Sequence, residues 1–84
     1  MPDTLSRADA DSVVRTALTG FAPAADLAAL TQAEPLRPTL DLDSLDFLTF
    51  VERLTRATGI RIEEADYPHL ATIGSCVEFL TATT

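Results

Sequence analysis

A small all-α bundle is the fold class that this sequence predicts, on three observations. Three stretches of the 84-residue chain place apolar residues at the i, i+3, i+4, i+7 spacing of a helix with one buried face. Glycines and prolines stand where those stretches must stop. The composition, 46% hydrophobic and 23% charged, is that of a folded globule and not of a disordered chain. The expected architecture is three main helices and one short one, with a long loop between helices one and two. Residues 1–84 form one domain, whose core is too small for a deep enzyme cleft.

The first helix is expected over residues 6–19. Ser6 and Asp9 have the spacing of a capping box, and Asp9 lies near the positive end of the helix dipole. Ala10, Val13, Val14, Ala17 and Leu18 make its apolar face. Gly20 can take the left-handed conformation that ends a helix, and Pro23 prevents resumption. Residues 21–42 read as a long connection punctuated by Pro23, Pro35 and Pro38, with one helical turn at Asp26 to Leu30. Leu27, Leu30, Leu36, Leu40 and Leu42 are too apolar for a free linker, so the loop should pack on the bundle. Loops of this length in compact domains usually carry function.

The second helix is expected over residues 44–58 and ends at Gly59. At about 100° per residue, Phe47, Phe50, Val51 and Leu54 share a core-facing sector. Leu45 projects roughly opposite the core, near Glu52 and Arg56, and Leu48 lies between. Ile60 and Ile62 alternate after Gly59. Glu63, Glu64, Ala65, Asp66 and Tyr67 then read as a short acidic helix stopped by Pro68. Thr72 can cap a last helix at 73–81, with Ile73, Cys76, Val77 and Leu80 on its apolar face. Gly74 weakens that helix by about 1 kcal/mol relative to alanine.

Charge and cysteine usage narrow the function. Thirteen acids face six bases, all arginine, for a net charge of -7. That balance disfavours nucleic acid and anionic membranes, which need a basic face, and favours basic surfaces on protein partners. A single cysteine, Cys76, excludes an intrachain disulfide. The apolar stretches are too short to span a bilayer. Met1, Pro2, Asp3 and Thr4 show no secretory signal, so the expected location is the cytoplasm. Met1 directly before the first helix suggests a free-standing protein, although a domain cut from a larger one would look the same, and the small acidic globule suggests a monomer.

The chemistry converges on Ser44, in the run Leu40-Asp41-Leu42-Asp43-Ser44-Leu45-Asp46-Phe47. A serine in the first turn or at the cap of a helix meets unpaired N–H groups and partial positive charge, a setting that suits a phosphodiester. Asp41, Asp43 and Asp46 would instead steer a basic enzyme surface toward it. The plain alternative is that Ser44 is only an N-cap.

Over about residues 6–81 the chain resembles the acyl carrier protein family, the phosphopantetheine-binding domains. The specific part is Asp41-Leu42-Asp43-Ser44-Leu45-Asp46-Phe47-Leu48 with Phe50, Val51 and Leu54 behind it. The resemblance implies an acyl-carrier-like four-helix bundle and a non-catalytic carrier. It implies that Ser44 bears 4′-phosphopantetheine taken from coenzyme A, with Asp43 as the motif acid and Leu45 as the hydrophobe that partner enzymes contact. Those partners would be a phosphopantetheinyl transferase and enzymes that load, condense or transfer acyl or aminoacyl groups in fatty-acid, polyketide or related biosynthesis. Leu45 and Leu48, with Asp41, Asp46 and Glu52, would form the docking face. The chain departs from the pattern Asp-Leu-Gly-x-Asp-Ser-Leu by a loop that reads as shorter and lacks the glycine. Helix two is also less acidic, because Arg53 and Arg56 dilute Asp46 and Glu52.

Other constellations are weaker. Asp41, Asp43 and Glu52 match positions 1, 3 and 12 of a calcium loop, but Leu45 and Asp46 occupy positions 5 and 6. His69 is the only histidine and reads as a surface or core-edge residue. Cys76 reads as a small core hydrophobe, and Tyr67 and the four phenylalanines as core or core-edge residues. The reading from a different class is an unmodified helical interaction module.

Overall fold

The computed structural model describes residues 5–83, and among them the regular structure is helical, with two isolated bridges, Thr19 with Ala22 and Pro35 with Thr72, in the connections. Residues 1–4, on which the reading of no secretory signal falls, and Thr84 lie outside the described residues. Helices α1 (Arg7–Ala17), α4 (Ser44–Thr58) and α5 (Ile73–Thr83) carry the core. Two short helices, α2 (Ala24–Ala29) and α3 (Leu36–Leu40), lie in the connection, and a 3₁₀ helix (Glu64–Leu70) precedes α5. α1 packs against α5 and α4, and the 3₁₀ helix against α5.

α1 starts as half of the expected box: the Asp9 N–H donates to Ser6 Oγ at 3.0 Å, with no return contact from the Asp9 side chain. The helix stops at Ala17, so Leu18 is the cap and Gly20, at φ 94°, turns the chain beyond it. Ala10, Val14, Ala17 and Leu18 are buried as the period requires. In α4, Phe47, Phe50, Val51 and Leu54 are buried and Gly59 closes the helix at φ 74°. Each such side chain contributes about 2 kcal/mol on burial.

The connection packs on the bundle, as its leucines demand: Leu27, Leu30, Leu36 and Leu42 are buried and Leu40 is half-buried. It is more regular than the sequence reading allowed. The helical turn expected at Asp26 to Leu30 is α2, and α3 was not expected at all. The three prolines do not interrupt helices here. Pro23 and Pro35 occupy the cap positions, and Pro38 sits in the first turn of α3, where its missing N–H costs nothing.

Long-range hydrogen bonds hold the connection down. Arg15 binds Asp11 at 2.6 Å and donates to the Leu27 and Leu30 carbonyls that end α2. Arg53 donates to the Ala17 and Thr19 carbonyls at the end of α1, at 3.0 and 2.7 Å. Gln32 donates to Asp11 and accepts the Gly74 N–H, while the Leu36 N–H reaches the Ala71 carbonyl at 2.8 Å. With Arg15 and Gln32 donating to it, the Asp11 carboxyl is held below its ordinary value. Gly74 therefore has a packing reason: a β-carbon there would stand 3.0 Å from the Gln32 carbonyl oxygen.

The stretch after α4 corrects one expectation. Pro68 lies inside the 3₁₀ helix and does not stop it; the segment runs on to Leu70. Its start is fixed by two bonds: the Glu63 N–H donates to the Asp66 carboxylate and the Asp66 N–H to the Glu63 carbonyl, both at 2.9 Å. Thr72 caps α5 as expected, accepting the Ser75 N–H at 3.0 Å, and α5 continues to Thr83.

Candidate functional site

The site is built where α3 hands the chain to α4. The Leu42 N–H donates to the Arg37 carbonyl at 2.8 Å, so the last turn of α3 is tied to the residue two before Ser44. Asp41 between them has φ 54° and ψ 46°, the one left-handed non-glycine among the described residues. Aspartate tolerates this conformation better than most side chains. It stands two residues before Asp43, where the pattern Gly-x-Asp-Ser has its glycine. The loop is thus not shorter, as the sequence reading had it; an aspartate fills the glycine position at the same spacing.

Asp43, not Ser44, is the N-cap of α4. The Asp46 N–H donates to Asp43 at 2.8 Å, and the Asp43 N–H donates to Asp46 at 3.3 Å. This reciprocal box satisfies two of the four N–H groups that a helix start leaves unpaired. Ser44 follows as the first helical residue, exposed, and its side chain makes no hydrogen bond among the described residues. The plain N-cap reading of Ser44 is excluded. Its hydroxyl is reachable, and the N–H groups of Ser44 and Leu45 lie outside the helix ladder.

Asp41, Asp43, Ser44 and Asp46 are brought together at this one end of α4. Leu45 is 75% exposed and Leu48 43%, the large apolar side chains that the described surface leaves uncovered. Leu48 borders a shallow groove with Glu52, Arg56, Ile62 and Tyr67; Leu45 stands outside it. Glu52 is exposed and distant from the acid cluster, about 12 Å along the helix axis from Ser44. Arg53 does not dilute this face. It turns to α1 and stacks over Phe21 at 5.0 Å, so of the two arginines on α4 Arg56 alone lies on the outward side.

The remaining candidates fall away from the site. His69 is exposed and stacked on Phe79 at 5.7 Å. Cys76 is buried, and desolvation pushes its thiol up to about 12. The calcium pattern dissolves because Ser44–Thr58 is helix, and no cluster of potential metal ligands exists among the described residues. Phe47 and Phe50 are buried, and Phe47 meets Tyr67 edge-on at 5.2 Å. Sequence reasoning missed Ile62 and Tyr67 as a groove wall, and Arg37, whose guanidinium lies 5.3 Å over the Phe47 ring. No helix among the described residues is long and apolar enough to cross a membrane.

The family model described as phosphopantetheine attachment site matches residues 12–80, most of the chain. No curated protein and no solved structure matches.

Proposed function

Because this chain belongs to the phosphopantetheine attachment-site family and is a non-catalytic carrier, we propose that Ser44 is the residue that bears its 4′-phosphopantetheine. The observation that carries this is the division of labour at the start of α4. Asp43 and Asp46 do the capping, which leaves the Ser44 hydroxyl exposed and uncommitted. The residues present fit a phosphodiester-linked arm: a free hydroxyl at a helix N-terminus beside N–H groups without helical partners. The group itself supplies a terminal thiol on a long flexible arm, able to hold an acyl or aminoacyl group as a thioester.

The chain's own part is display and recognition. The capping box fixes the backbone on either side of Ser44, so its Cα keeps one position relative to α4. Leu45 and Leu48 offer apolar contact, and Asp41, Asp46 and Glu52 offer negative charge. This face suits basic surfaces on a phosphopantetheinyl transferase and on enzymes that load, condense or transfer the cargo. A small apolar patch rimmed by charge gives weak contacts, which a carrier needs in order to leave each enzyme. We place the domain in fatty-acid, polyketide or related biosynthesis. Incubation of the apo chain with coenzyme A and a broad-specificity phosphopantetheinyl transferase, followed by intact mass, tests the assignment. One phosphopantetheine should be added, and none to Ser44→Ala; equal gain by both chains would place the attachment elsewhere.

A further inference from the structure

We propose that Arg37 anchors the phosphodiester of the arm, an inference that rests on Ser44 being the attachment residue. Three acids surround Ser44, and a phosphodiester placed there adds to a like-charged neighbourhood. Two of them already point at backbone: the Asp43 and Asp46 carboxylates accept from each other's N–H groups. Arg37 is the cation on α3, the element that leads into the motif, and its carbonyl is bonded to the Leu42 N–H.

The guanidinium of Arg37 lies over the Phe47 ring, 5.3 Å from its centroid. Phe47 is three residues after Ser44, a spacing that brings side chains within about 5–6 Å at Cβ on a helix surface. Arg37 is exposed and makes no ion pair among the described residues, despite the acids nearby. The other five arginines are differently placed. Arg15 and Arg53 are spent on carbonyls, Arg61 pairs with Glu63, Arg56 lies about 18 Å along the axis of α4 from Ser44, and Arg7 opens α1 beside Asp11, Gln32 and Val77. The Arg37 guanidinium has no carboxylate partner among the described residues, and its fork matches phosphate oxygens in a bidentate way. Arg37 lines a second shallow groove together with Phe47, Pro38, Tyr67 and Pro68.

The test compares apo and modified chains, labelled with nitrogen-15, after intact mass has shown one arm added. The Arg37 Nε–H signal, assigned by its loss in Arg37→Gln, should shift on modification and shift back as salt is raised. The phosphorus-31 signal of the modified chain should move in Arg37→Gln and be only partly restored in Arg37→Lys, which keeps the charge but not the fork. A modified chain whose Arg37 and phosphorus signals ignore both substitution and modification overturns the inference and leaves Ser44 as the attachment residue. A chain that gains no mass overturns both.

Discussion

α4 and the connection before it are held by different kinds of force, and Ser44 sits on the seam. α4 is specified locally: a capping box at its start, Gly59 at its end and a buried stripe at helical spacing between. The connection contains short helices of 6 and 5 residues that could not persist alone. It is held by Arg15, Gln32 and Arg53, whose partners lie 12 to 36 residues away, and by the backbone bonds to Ala71 and Gly74. A rigid helix thus presents the serine, while an independently anchored loop delivers the chain to it.

Breaking α4 should break everything. Phe50 is fully buried beneath the site, so Phe50→Ala should cost about 3–5 kcal/mol and lower the urea midpoint of the whole domain in one transition. Breaking the connection should be milder and local. Arg15→Ala strips the end of α2 of its donors and should cost about 1–2 kcal/mol, given that Arg15 is partly exposed. Hydrogen exchange should then quicken at residues 27–32 while α4 keeps its protection; equal quickening in both would erase the distinction. The smallest effect lies at the seam. Asp41→Gly removes the left-handed cost of about 1–2 kcal/mol but adds chain entropy of about 0.5–1 kcal/mol, for a net gain of about 0.5 kcal/mol. A thermal melt reads it, and a loss of stability would show that the Asp41 side chain supports the turn.

The same contrast explains what the sequence disclosed. The bounds of α4 were legible to the residue, because its period and terminating glycine are local signals, but its cap was not: Asp43 and Asp46 read as acids around a serine and not as a capping box. Its outward leucines followed from the same geometry. α3 was not legible because Pro35 and Pro38 read as breakers, although proline is tolerated at a cap and in a first turn. Pro68 misled in the same way within the 3₁₀ helix. Arg53 read as surface charge because its partners, Ala17 and Thr19, are remote in sequence. The left-handed Asp41 was hidden because an aspartate there looks like one more acid in an acidic loop.

Cys76 gives the domain a property of its own. Burial pushes its thiol up to about 12, so at neutral pH it stays protonated. It has neither the ionisation nor the exposure to compete for cargo held on the arm, nor to pair with the arm by oxidation. The carrier is in that sense chemically silent. A thiol-reactive dye at neutral pH would light up the modified protein and leave the unmodified one dark, with no cysteine to remove first.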